Sequence, residues 1–268
     1  AKYDSDGNFI SAVQMDCHQT ALGTRLTIDP YGNLYVAGIF SDSIDCDPGP
    51  QSTVIYPSGW DMFIAKYSPQ GDFKHVITVD KNDTSTIQVL DIKCDAIGNL
   101  YVSGLLEDSI DFVSGTGNAT LYGYGNNDAF LAKYDSAGNY ITAVNFGGPK
   151  PDLAEYFELD SAGSIYVTGY FTESCDFDPG SGVAMVNSPN NSFKGYLAKY
   201  DSSFNFLYVV PLVGTSTSRA LCVKQINSSV FVSGSYMGSI DFDPGPGLVS
   251  YNSPSFHSMY LAEYDLAG

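Results

Sequence analysis

Three acidic phrases are the first candidates for chemistry in this 268-residue chain: Asp45-Cys46-Asp47-Pro48-Gly49, Asp176-Phe177-Asp178-Pro179-Gly180 and Asp241-Phe242-Asp243-Pro244-Gly245. On an extended strand, residues two apart share a face, so each phrase sets two carboxylates side by side. Paired carboxylates beside the carbonyls of a turn suit Ca2+, a hard cation that takes oxygen ligands. Asp45, Asp47, Asp176, Asp178, Asp241 and Asp243 are therefore the candidate metal ligands. The competing reading is an Asx-Pro turn, in which the first Asp ties the loop down and the second is solvated. The phrases lack the additional ligands of an EF-hand loop. A fourth stretch begins alike, at Asp111-Phe112, and departs to Val113-Ser114-Gly115.

Catalytic patterns are sparse. The histidines His18, His75 and His257 fall at unrelated places, and there is no Gly-x-Ser-x-Gly elbow, His-x-x-x-His pair or glycine-rich phosphate loop. His18 follows Cys17, but no third group accompanies them. Two of the many carboxylates would suffice for a glycosidase pair. The suggestive Asp residues recur by repetition, however, which is the mark of structure; a grafted active site stands out as a departure. The chain therefore reads as a non-enzyme without catalytic residues, and hydrolysis is the last of the alternatives. Trp60 is the single Trp, just before Asp61 where the other copies show Asn127, Lys194 and Ser258. An exposed aromatic among Asn and Asp can stack on a sugar ring, so Trp60 is the candidate ligand-binding residue of a lectin-like reading. Tyr35, Tyr101 and Tyr166 recur in phase, as packing residues do.

Charge narrows the partners. Lys+Arg total 12 against 30 Asp+Glu, a formal charge of -18. Such a surface repels nucleic acid and anionic lipid. It suits a cation or a basic protein. No apolar run reaches the length of a membrane span. The opening Ala1-Lys2-Tyr3 has no positive-then-apolar leader and reads as a mature or excised piece. The five cysteines, Cys17, Cys46, Cys94, Cys175 and Cys222, fall at unmatched positions, so no repeated bridge or metal cage is written in.

These residues are carried by a repeat. Lys2-Tyr3-Asp4, Lys66-Tyr67, Lys133-Tyr134-Asp135, Lys199-Tyr200-Asp201 and Glu263-Tyr264-Asp265 succeed one another at spacings of 64, 67, 66 and 64 residues. One supersecondary unit is thus copied four times, over about 2–65, 66–132, 133–198 and 199–268, in a single domain spanning 1–268. Within a unit the period is two. The turn Asp29-Pro30-Tyr31-Gly32-Asn33 leads into Leu34 to Phe40, and the same hairpin returns at Asp95 to Asn99 and Asp160 to Ser164. In such turns Asp bonds the amides ahead of it, and Gly or Asn accepts positive φ. A third strand ends in the Lys-Tyr phrase and a fourth follows it, giving four strands per unit.

Leu34 to Phe40 is apolar or small on both faces, so its sheet must be covered on both sides. Four-stranded sheets stacked face to face around an axis meet that demand. The expected fold is all-β: a β-propeller of four blades of ~66 residues. Phe9 to Gln14 is a fourth-type strand, and the chain ends on a third-type strand, Tyr260 to Tyr264. Pairing of these two segments is expected to close the ring. Thr27, Lys93, Glu158 and Val223 are expected to line its channel.

The combination of Gly169, Asp176-Phe177-Asp178-Pro179-Gly180 and Leu197-Ala198-Lys199-Tyr200-Asp201 resembles the bacterial β-propeller repeat of the SBBP type, and the order of turns is similar to NHL propellers. The resemblance implies a secreted or cell-surface protein, handled by type IX secretion in Bacteroidetes-like bacteria. It brings no catalytic residues. The expected function is a non-enzymatic interaction or structural module that binds another protein or joins a larger surface assembly. Glycan binding or Ca2+-stabilised recognition is the alternative.

Overall fold

The computed structural model describes the chain except residues 82–83, 114–116, 244 and 246 and the side chains at 254–255. Ser114, Gly115 and Pro244 of the acidic loops therefore lie outside the described residues.

The period-two segments form four antiparallel sheets in a row. The first contains β1 (Ala21–Ile28), β2 (Leu34–Phe40), β3 (Asp61–Tyr67) and β4 (Phe73–Ile77), hydrogen-bonded in that order. The second contains β5 (Thr86–Cys94), β6 (Leu100–Glu107), β7 (Asp128–Tyr134) and β8 (Tyr140–Phe146). The third contains β9 (Leu153–Leu159), β10 (Ile165–Phe171), β11 (Lys194–Tyr200) and β12 (Phe206–Leu212). The fourth has three strands, β13 (Ser218–Ile226), β14 (Ser229–Asp241) and β15 (Ser250–Asp265).

Local chemistry sets each hairpin. The Asp29 carboxylate accepts from the amides of Tyr31 and Asn33, both at 2.9 Å, and from Asn33 Nδ2 at 2.8 Å. Gly32 takes φ of 82° between them, a conformation that a Cβ penalises. In the turn at Asp201 that place belongs to Phe204, at φ of 66°. Its buried ring meets Tyr101 edge-on at 6.1 Å, and that burial offsets the strain. The glycine of each Tyr-Val-x-Gly phrase has a different cause. Opposite it the first strand bulges, and a Cβ on Gly104 or Gly169 would sit 1.9 Å from a backbone oxygen.

The cores lie between sheets. Met62, Ile64 and Ala37 of the first sheet pack on Ile87, Leu100 and Phe130 of the second. Leu131 and Tyr101 pack on Phe157 and Val167 of the third. Leu197 and Val210 pack on Val223 and Val232 of the fourth. Strand β6 is buried at every residue but its last, so the inner sheets are covered on both faces as their sequence demands.

The two ends of the row are open. Leu26 of β1 is 61% exposed, and Met259 and Leu261 of β15 are 88% and 73% exposed. The expected closure is not what this structure contains: Phe9–Ser11 pairs with Lys2–Tyr3 in a hairpin of its own. That hairpin stands ahead of the first sheet, where Lys2 Nζ reaches the Pro69 carbonyl at 3.5 Å and Val13 lies against Gly71. The reason is the local Asp4 turn, whose carboxylate takes the Asp6 and Asn8 amides at 2.9 and 2.8 Å and folds the two short strands on each other. Deleting residues 1–12 removes only this exposed hairpin. The melting temperature is expected to move by no more than about 4 °C, the equivalent of about 1 kcal/mol for a chain of this size. A collapse of the melting transition in calorimetry would restore the closed ring.

Candidate functional site

The acidic loops bind themselves. Asp45 Oδ1 accepts from the amides of Asp47 and Thr53 at 3.0 and 2.8 Å, its Oδ2 takes the Ser52 hydroxyl at 2.7 Å, and Asp47 Oδ1 takes the Gly49 amide at 2.8 Å. The Ser52 hydroxyl and these amides lower the Asp45 pKa. Asp176 closes its loop on the amides of Asp178 and Ala184, and Asp178 takes that of Gly180 at 2.8 Å. Asp241 does the same with Asp243 and Val249, and Asp243 with Gly245. Even the divergent Asp111 holds the amides of Val113 and Ala119. The first Asp of each pair is a loop clasp. Among the described residues, no group of three or more His, Cys, Asp or Glu converges as a metal cage.

The Lys-Tyr phrase has a structural cause as well. Lys66, Lys133 and Lys199 lie over the rings of Tyr35, Tyr101 and Tyr166 at 4.7, 4.6 and 4.8 Å. Each reaches into the turn of the following unit, at the carbonyls of Ser136, Ser202 and Leu266. The following Tyr ties down the acidic loop of its own unit: Tyr67 and Tyr200 donate to the carbonyls of Cys46 and Phe177 at 2.8 and 2.9 Å. The phrase therefore joins unit to unit. In the fourth copy Glu263 replaces the lysine and binds Ser229 Oγ at 2.6 Å instead.

Of the expected channel positions, Thr27 contributes nothing to the polar chain that forms there. Lys93 Nζ lies 3.5 Å from Asp91 and 4.0 Å from Glu158, and Lys224 pairs with the same Glu158. Val223 is buried; the strand register assigns Lys224, one residue later, to the position expected of it. Burial opposes the Lys93 charge, but Asp91, Tyr156 and Glu158 outweigh it and hold its pKa up. Trp60 is half-exposed in the turn before β3. The register also matches Asp61 to Asp128, not to Asn127, because each opens the third strand of its sheet.

The concave surface that stands out is a groove of about 610 Å3 along β15. Tyr236, Phe242, Tyr251 and Tyr260 supply its aromatic wall, with Phe242 4.9 Å from Tyr260 and 6.0 Å from Tyr251. Asp243, Glu263 and Asp265 supply an acidic rim. Strand β15 pairs with β14 along one edge, and among the described residues nothing pairs with the other. In the three preceding sheets the corresponding edge carries β4, β8 or β12. There the Tyr of the phrase meets an aromatic edge-on: Tyr67 with Phe73 at 6.0 Å, Tyr134 with Tyr140 at 6.2 Å, Tyr200 with Phe206 at 6.0 Å. Among the described residues Tyr264 has no such partner, and its buried hydroxyl is unbonded. Sequence reasoning missed this groove; Glu263, the one break in the Lys-Tyr phrase, is its signal.

No protein-family model matches the chain. It is similar to an uncharacterized WD repeat-containing protein of Acanthamoeba polyphaga mimivirus, with 26% identity over 205 residues. The match covers 69% of this chain and 14% of that protein, so the chain spans a small part of the relative's length. The stacked four-stranded sheets and the WD-repeat similarity together fit a β-propeller. The bacterial repeat type is carried by the sequence motifs alone.

The tie between units gives a measurable dependence on Asp29. Its carboxylate is fully buried and lies 3.2 Å from Lys66 Nζ. Burial pushes its pKa up, but the bonds from Asn33 and Lys66 prevail and hold it below the ordinary value. A lowered carboxyl contributes stability above its ordinary pKa and loses it as pH falls through the lower, folded value. Asp29→Ala leaves the Lys66 charge buried without its partner and is expected to cost about 3 kcal/mol at neutral pH. The melting temperature should fall by about 6–12 °C, and the difference from the parent should shrink under acid. An unchanged melting curve at pH 7 would overturn this assignment.

Proposed function

We propose that this chain is a protein-interaction module that takes an extended segment of a partner on the open edge of β15. One observation carries the reading: among the described residues, β15 offers an unpaired row of backbone groups above an aromatic groove. Strand addition to such an edge draws affinity from main-chain hydrogen bonds and selectivity from side-chain pockets. The WD-repeat similarity supports a protein partner, since proteins with such repeats typically bind other proteins.

The chain's own fourth strands supply the template for the ligand. The ligand strand begins with an aromatic residue that meets Tyr264 edge-on, as Phe73, Tyr140 and Phe206 meet their tyrosines. Small or β-branched residues follow, as in Val76, Ala143 and Val209. The acidic rim favours a basic residue beside them. A synthetic peptide of residues Asn8 to Gln14 with two added lysines is the probe. It is expected to bind saturably in a titration. Tyr264→Ala should weaken it by about two- to tenfold, the weight of one aromatic pair. Equal binding of a scrambled peptide would overturn the reading.

An extracellular or cell-surface setting, implied by the repeat motifs, belongs to the same proposal. Biotinylation of intact producing cells with an impermeant reagent is expected to label the protein. Labelling only after lysis would reject that setting and leave the β15 groove untouched.

A further inference from the structure

Each junction between successive sheets buries one polar side chain at the start of the third strand: Asp61, Asp128 or Lys194. In the third-to-fourth junction Lys194 supplies an ammonium that donates to the carbonyls of Gly214, at 2.7 Å, and Ser216. Ser218 sits beside it, bonded to Gly195 N and the Leu212 carbonyl. In the first-to-second junction Asp61 Oδ2 accepts from Ser58 N at 3.1 Å, and its Oδ1 is buried without a hydrogen-bond partner. The Lys81 ammonium bonds the Ser58 carbonyl, and its charge favours the Asp61 carboxylate against burial. Both junctions hold a cationic nitrogen.

The second-to-third junction inverts this. Asp128 stands where Lys194 stands, and Asp152 where Ser218 stands. Both are 0% exposed. Asp128 Oδ2 accepts from the amides of Tyr124 and Gly125 at 2.7 and 3.2 Å, and Asp152 Oδ1 from that of Thr172 at 3.1 Å. Asp128 Oδ1 and Asp152 Oδ2 are buried and have no hydrogen-bond partner. The two orphan oxygens converge: they lie 2.2 and 3.0 Å from the point where a Cβ on Gly147 would be. Among the described residues neither carboxylate forms an ion pair, although the Gly148 amide eases both. Burial drives both carboxyls up, Asp152 to about 8, which is the cost of two such groups without a counter-charge.

We propose that Asp128 and Asp152 together hold a hard cation, of the calcium class, in this junction, which supplies the positive charge that Lys194 and Lys81 bring to the two others. The donors are oxygens only, which selects a hard ion over zinc or copper. The ion clamps the second sheet, through β7, to the third, through β9. It is distinct from the acidic loops, whose clasping oxygens are taken by their own amides.

The test is thermal unfolding of the whole chain after chelation, with CaCl2 added back at constant ionic strength, and calorimetric titration of CaCl2 alongside. The melting temperature of the parent is expected to rise by several degrees with saturable binding of one ion. Asp128→Lys, which copies Lys194, and Asp152→Ser, which copies Ser218, should each abolish the response. Asp178→Asn, in an acidic loop, should leave it intact. If one junction variant fails to fold, the other and the titration of the parent still decide. No calcium response in the parent, or a response that survives both junction variants, overturns the proposal. So does a calcium-blind stability that falls as pH rises toward 8, because the pair then shares a proton.

Discussion

Each of the four stacked sheets has two apolar faces, and the need to cover both is the constraint from which the rest follows. Burying apolar surface is worth roughly 25 cal/mol per Å2, so a sheet covered on one face forfeits half of its drive to fold. Stacking solves this for the inner sheets, where Phe130, Leu131 and Phe157 vanish from solvent. It leaves the same problem at each end of the row, at Leu26 and at Met259 and Leu261.

Much of this was legible in the sequence because its signals are local. The Asp-x-x-Gly-Asn turns close through bonds no more than four residues long, so their type and position could be read directly. The four strands of the first three sheets followed from period two, while the fourth sheet has three. The lysine of the repeat was harder, since its acceptor lies about seventy positions away and one unit on, as in Lys66 to Ser136. The pairing of Phe9–Ser11 was misjudged for a related reason. Its strand character was correct, but the Asp4 turn satisfies it locally before any distant edge can. The junction acids were hidden by a slip of one residue that set Asp61 against Asn127. Once the register aligns Asp61, Asp128 and Lys194, a change from acid to base at one repeated position becomes visible.

That change shows how the junctions differ beneath a common backbone. Apolar contacts between sheets are interchangeable in kind: Ile64 on Leu100, Leu131 on Phe157 and Leu197 on Val223 all bury aliphatic and aromatic surface. They stabilise stacking without saying which sheet follows which. Buried charge is less tolerant, because an unmatched carboxylate or ammonium costs several kcal/mol. Lys194 is satisfied by the carbonyls of the 214–216 linker, whereas Asp61 has the Ser58 amide on one oxygen and the nearby Lys81 charge to ease its burial. Exchanging the sheets would set acids and lysines against the wrong linkers. The polar positions therefore write an order onto faces that are otherwise alike.

The same logic governs the end of the row. Lys66, Lys133 and Lys199 each cover a tyrosine ring and tie to the turn of the next unit. Glu263 occupies that position in the fourth unit, with Phe231 opposite it in place of a tyrosine. A carboxylate neither donates to a carbonyl nor favours the face of an aromatic ring. Whatever sits against this face must therefore answer an anion and an aromatic groove, whereas the inner faces answer a cation. A further unit of the inner kind, presenting a turn carbonyl at that point, would meet repulsion where its predecessors found a hydrogen bond. The fourth sheet thus presents a carboxylate where the three before it present an ammonium.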